Sequence, residues 1–205
     1  MKRQLHVITT GQQGMNEMVS ISLAVKLYID FLHIRENTWT ARELAEAVTL
    51  LIDGGFPPKK IIINDRVDVA SVMGVRGAHL GGHSLRVSEV KRNFPGLKAG
   101  VSVHSVDEAV FLQVEGADYL MYGNVFSTPS KQGKDGVGMK NLKTVVDAVD
   151  LPVIAIGGIK PGNTKDIIDT GAEGIAVLSG IFLAEDPEST ACEYRLNLDG
   201  GVKVE

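Results

Sequence analysis

Two short runs ending in small residues carry the clearest chemical signal in this 205-residue chain. AIGGIKPGNT, Ala155 to Thr164, closes an apolar stretch with Gly157 and Gly158, and AVLSGIF, Ala176 to Phe182, places Ser179 and Gly180 in the same way. Where no Cβ stands in the way, backbone amides approach an anion closely, so the two runs together point to a phosphate. Either run alone reads equally well as a tight turn. GNVFSTPSKQGKDGVG, Gly123 to Gly138, adds Thr128, Ser130 and Lys131, which suit a phosphate or pyrophosphate grip as well as a solvated loop. In HIREN (His33 to Asn37) and NDRVD (Asn64 to Asp68), Arg35 suits a carboxylate or phosphate and Asn64 a ring or linking oxygen. The alternative for Arg35 is an ion pair with Asp65 or Asp68. His33, His79, His83 and His104 are the candidates for moving a proton near neutral pH, with Ser102 on the same strand face as His104. Spacing does not choose among them.

Placing these residues requires an alternation of strands and helices. Short β-branched or aliphatic runs predict strands at Leu5 to Thr10, Phe31 to Glu36, Lys60 to Asp65, Gly77 to Gly81, Lys98 to His104, Tyr119 to Phe126, Val153 to Gly158 and Gly174 to Ser179. Segments of helical periodicity separate them, and Thr40 with Glu43 and Ser105 with Glu108 have capping-box spacing. Eight such units predict one α/β domain, a single (β/α)8 TIM barrel over residues 1–205, with a tail from about residue 199 expected to fray. A doubly wound open sheet shares the alternation. It expects its glycine fingerprint after the first strand, whereas here the glycines follow the seventh and eighth.

Composition excludes other classes. With 44% hydrophobic and 22% charged residues the chain reads as globular. A net charge of -4, with scattered basic residues, argues against nucleic acid. No apolar run reaches membrane-spanning length, so neither a signal peptide nor an anchor is expected. The lone Cys192 forms no intrachain disulfide and fits a cytoplasmic setting, and no Cys/His spacing resembles a zinc site. A homo-oligomer is compatible with the sequence, which does not fix the oligomeric state.

HIREN, NDRVDVA, GAHLGG, VSVH, ADYLMYGNVFSTPSK, PVIAIGGI and GAEGIAVLSGIF resemble, in order and across nearly the whole chain, the thiamine phosphate synthase superfamily. Within it the chain looks more like the TenI-type thiazole tautomerases than the synthases. Against the synthases' QLREK, His33 stands for Gln and Asn37 for Lys, while Arg35 and Glu36 are kept. Of the synthases' two Mg2+ carboxylates Asp65 is kept and Ser84 replaces the other, so the resemblance implies no metal site and no cofactor. Thr128 and Ser130 match the synthases' Thr-x-Thr, Lys131 the lysine that follows, and Gly158 and Ser179 the positions that receive the thiazole phosphate.

The resemblance implies an isomerase of thiamine biosynthesis, a thiazole tautomerase that aromatises a carboxythiazole phosphate tautomer. Its small-molecule partner is that thiazole phosphate carboxylate. Where tautomerases carry a proton-shuttling histidine in GHVF, this chain has Asn124, which does not titrate. Asn124 is expected to orient the substrate or stabilise developing charge, with His104 or His33 transferring the proton. One alternative is a synthase joining thiazole phosphate to hydroxymethylpyrimidine pyrophosphate, using Arg35, Asn64, Asp65 and Lys131. The other is a noncatalytic thiazole-phosphate-binding or regulatory protein.

Overall fold

A computed structural model describes residues 3–127 and 136–200. Eight parallel strands close into a barrel in chain order: β1 (Gln4–Ile8), β2 (Phe31–Ile34), β3 (Ile61–Asn64), β4 (Gly77–Leu80), β5 (Lys98–Val103), β6 (Tyr119–Gly123), β7 (Val153–Ile156) and β8 (Gly174–Val177), with β8 paired back to β1. The crossovers carry α1 (Met15–Val25), α2 (Ala41–Asp53), α3 (Val67–Val72), α4 (Val87–Asn93), α5 (Val106–Val114), α6 (Gly138–Ala148) and α7 (Thr164–Asp169), followed by the short α8 (Ser179–Phe182) and α9 (Pro187–Leu198). The single (β/α)8 barrel expected from the alternation is the fold observed, and the open sheet is excluded by the β1–β8 ladder.

All eight expected strands overrun the observed ones by one to three residues at their C-terminal ends. Apolar and β-branched residues continue past each ladder into the βα loops, where the backbone turns away although the side chains still favour extension. Ser179, read as a strand end, instead opens α8. The Thr40 capping box is complete on α2, whereas at α5 Ser105 accepts from the Glu108 amide and the Glu108 carboxylate accepts from the His104 amide. One half of that second box has therefore moved back by one residue.

Strand alternation divides the core in two. Outward side chains such as Leu5, Val7, Leu32, Ile34, Ile61 and Ile63 pack under the helices, and inward Ile8, Ile62, Tyr119, Met121, Ile154 and Ala176 fill the barrel. The interior also holds His6, His33 and His79, all buried. Gly100 lies beside Tyr119 in the β5–β6 register, and a Cβ there would fall 1.9 Å from the tyrosine ring. Its lack of a side chain lets the ring cross the interior, where the Tyr119 hydroxyl meets His79 Nδ1 at 3.2 Å. Arg195 of α9 binds Asp30 and the Arg3 carbonyl, each at 2.8 Å, fastening the last helix across the β1 end of the barrel. Asp199, expected in the fraying tail, pairs with Arg195 at 2.8 Å; residues 201–205 lie outside the described residues.

Candidate functional site at the C-terminal mouth

In a parallel barrel the strand C-termini converge on one rim, and most of the candidate residues stand there. Arg35 follows β2, Asn64 ends β3, His104 follows β5, Asn124 follows β6, Gly157 and Gly158 follow β7, and Ser179 and Gly180 follow β8. Thr128, Ser130 and Lys131 lie outside the described residues.

The β6 and β7 ends are pressed together. Beyond the regular ladder, the amides of Val125 and Phe126 donate to the carbonyls of Ile156 (2.8 Å) and Gly157 (3.0 Å). Gly157 and Gly158 have φ of 101° and 65°, conformations that L side chains avoid. A Cβ on Gly157 would lie 2.3 Å from the Asn124 Cβ, and one on Gly158 2.7 Å from the Phe126 Cβ and the Ser127 carbonyl. Both glycines are therefore obligatory for the close approach of the two loops. Gly180 has another reason: a Cβ there would meet the Tyr194 hydroxyl at 2.8 Å, so α8 lies tight on α9. That hydroxyl donates to the Ile159 carbonyl, tying the β7 loop to the same helix.

Asn124 is buried, with its amide nitrogen 3.3 Å from the Phe126 carbonyl and its own carbonyl accepting from Val137 at 2.9 Å. His104 is exposed beside it and donates from Nδ1 to the Gly123 carbonyl at 2.8 Å, so in the neutral ring Nε2 holds the lone pair. His33 stands apart from this rim. It is wholly buried, bonded through Nε2 to His6 Nδ1 at 2.9 Å, and burial with its histidine neighbours holds it well below the usual histidine range. Ser102 bonds His79 Nε2 at 2.9 Å, and burial lowers His79 to about 4. His83 lies in the exposed loop after β4.

Arg35 makes no ion pair among the described residues. Asp68 is taken by Arg66 at 2.6 Å, which removes one of the two partners suggested for Arg35. Asp65, next to Asn64, has φ 64°, a strained setting for a non-glycine residue of the kind found at functional loops. Two residues passed over by the spacing argument also stand out. His6 completes the interior histidine group, and its signal was a polar side chain on the same alternation as Ile8 in an apolar strand. Glu36 is buried with Oε1 unpartnered, and desolvation raises its pKa against the weaker pull of Thr9, the Gly11 amide and Arg35.

The donor set for a divalent cation is incomplete. Asp65 has no second carboxylate at the matching position after β4, where Ser84 Oγ instead accepts from the Gly81 amide at 2.7 Å. Among the described residues no three His, Cys, Asp or Glu side chains gather to hold a metal. The residues present do not fit the two-carboxylate magnesium site that the resemblance compares them with.

Fold and rim together define a (β/α)8 barrel with its chemistry collected at the strand C-termini. The pattern of the thiamine monophosphate synthase family matches residues 5–181, and the chain belongs to that family. It is 37% identical to a thiamine-phosphate synthase of Natronomonas pharaonis over 193 residues, covering 88% of each chain. It is also 37% identical to one of Methanoculleus marisnigri, covering 93% of each. Among solved structures it superposes on a thiamine phosphate pyrophosphorylase from Pyrococcus furiosus with a TM-score of 0.83 at 30% identity, covering 98% of each chain. A 3-hexulose-6-phosphate synthase shares the fold at 16% identity and a TM-score of 0.76. The isomerase expectation is corrected by these relatives, which are named as synthases, enzymes of the transferase type. Superfamily membership stands, and the finer assignment to the tautomerases is unsupported. Among the described residues no helix is long and apolar enough to cross a membrane.

Proposed function

We propose that this chain is a thiamine-phosphate synthase, joining thiazole phosphate to hydroxymethylpyrimidine pyrophosphate. In that reaction the thiazole ring nitrogen attacks the pyrimidine methylene carbon, the C–N bond forms, the C–O bond breaks and pyrophosphate leaves with its electron pair. The carrying observation is that one barrel mouth presents two separate polar sectors. Gly157 and Gly158, at positive φ and packed against the β6 loop, stand at the β7 end as the sector read for a phosphate, while Arg35 and Asn64 stand at the ends of β2 and β3 across β8 and β1. The resemblance of Thr128, Ser130 and Lys131 to the synthases' motif supports the first sector. Arg35, with its planar fork of donors, suits the departing pyrophosphate, and the barrel's work is to hold the two reactants in line. No step is assigned to a metal, because the carboxylate set does not fit one.

The test is pyrophosphate release from the purified chain given both substrates, with and without Mg2+. Release that needs both substrates supports the reading, and its absence under both conditions overturns it. A second reading, a noncatalytic thiazole-phosphate binder, is favoured by Ser84 and Asn37, which replace a carboxylate and a lysine of the synthase pattern. Thermal stabilisation by thiazole phosphate without turnover supports that one.

A further inference from the structure

A chain of polar side chains, its two histidines buried and its Gln4 and Asn64 ends partly so, climbs the barrel interior from its N-terminal end to its mouth. Gln4 Oε1 lies 3.0 Å from His6 Nε2, and His6 Nδ1 lies 2.9 Å from His33 Nε2. The Asn64 carboxamide adjoins His33 on its other side. The register sets the direction of the climb. His6 pairs with Phe31, two residues before His33, and His33 pairs with Ile62, two residues before Asn64.

Counting protons along this chain shows a conflict. A neutral imidazole has one N–H and one lone pair. Gln4 Oε1 and Asn64 Oδ1 are both acceptors, so the three contacts between them need three protons, and two neutral histidines supply two. One contact must go without, and it is the upper one: His33 Nδ1 and Asn64 Oδ1 are both buried and both unpartnered. A third proton would create an imidazolium, which full burial opposes, since His6 is lowered to about 3 and His33 well below its ordinary value. With the Gln4 oxygen kept on His6 Nε2, where the contact is already formed at 3.0 Å, the protons fall on Nε2 of both rings, His6 donating to Gln4 and His33 donating to His6. His33 then turns a bare Nδ1 toward Asn64. Rotating the Asn64 carboxamide by half a turn exchanges its oxygen and nitrogen within the same shape. That rotation pairs an Asn64 N–H with His33 Nδ1 and releases Oδ1.

We infer that Gln4 and His6 are positioning residues: acting through the His33 tautomer, they hold Asn64 with its carbonyl oxygen presented to the barrel mouth as an acceptor for a hydrogen-bond donor of the substrate. The functional half rests on the mouth being the substrate site. The tautomer half stands without it. His79 is kept out of the chain by its bonds to Ser102 and Tyr119.

The test is nitrogen-15 NMR of the histidine rings in the full chain at neutral pH. The expected result is protonated Nε2 and unprotonated Nδ1 on both His6 and His33; Nδ1–H tautomers or imidazolium on this pair would overturn the inference. Gln4→Met removes the acceptor that sets the direction, so both tautomers become populated. The same variant binds hydroxymethylpyrimidine pyrophosphate, whose aminopyrimidine ring offers an N–H donor, about three- to tenfold more weakly, the loss of one well-placed hydrogen bond. Released tautomers with unchanged affinity would refute the positioning role. Failure of the synthase reading shows separately, as absent pyrophosphate release with the wild-type tautomers as assigned.

Discussion

At the residue scale, histidine burial dominates the behaviour of this barrel. His6 and His79 are lowered to about 3 and about 4, and His33 is lowered as well, first by desolvation in each case. Below the ordinary histidine value the unfolded chain takes up protons that the folded interior refuses. Stability is thus fully present above about pH 6.5 and is lost progressively as the pH falls from there toward the lowered folded values, by up to about 1.4 kcal/mol per pH unit for each histidine, the loss levelling off once the folded rings also take up protons. Glu36 acts in the opposite sense, because its raised value lets the folded state bind a proton first, but one carboxyl opposes three imidazoles. Urea unfolding at pH 7 and pH 5 should show the lower stability at pH 5, and equal stabilities would contradict this burial. Gly157→Ala is the second residue-scale prediction. Its φ of 101° and the 2.3 Å approach to Asn124 make the substitution cost about 2–4 kcal/mol in denaturant unfolding. Near-normal stability would mean that the β6 and β7 loops can separate.

Among the elements, α2 and α9 are the ones whose anchoring can be tested singly. Thr40 accepts from the Glu43 amide at 3.3 Å while the Glu43 carboxylate accepts from the Thr40 amide at 2.7 Å. Thr40→Ala should therefore lower stability by about 1 kcal/mol, measured by urea unfolding. The α9 anchor is stronger because it is more buried. The Arg195 side chain is 11% exposed and Asp30 is 17% exposed, and Arg195→Met removes the guanidinium that neutralises this largely desolvated carboxylate, which keeps the Leu5 amide as a donor. A loss of about 3 kcal/mol is expected, with Asp30→Asn milder because the amide can still accept. If Arg195→Met behaves like an ordinary surface substitution, α9 is not what holds the β1 end closed.

At the scale of the whole molecule, a phosphate ester gripped between the β7 and β8 ends should stabilise the folded barrel as one unit. Thiazole phosphate at one hundred times its Kd should add about 2.7 kcal/mol, seen as a rise in Tm, and Gly157→Ala should abolish the rise. The sequence alone predicted eight strand-and-helix units and favoured a barrel over an open sheet through the glycines after the seventh and eighth runs, while closure itself is set by the β1–β8 ladder. It also brought Gly157, Gly158, Asn64, Arg35, His104 and Asn124 to one rim, since parallel strands must end on the same side. What it did not determine was the status of each histidine. His33 and His104 are both polar residues near strand C-termini, yet one is sealed among His6, Asn64 and His79 while the other stands exposed against Gly123. That difference depends on which layer of the closed interior each strand position occupies, and the layer is fixed by the stagger between neighbouring strands. Only the tertiary structure sets that stagger, because it arises from closing the sheet and not from any local run of residues.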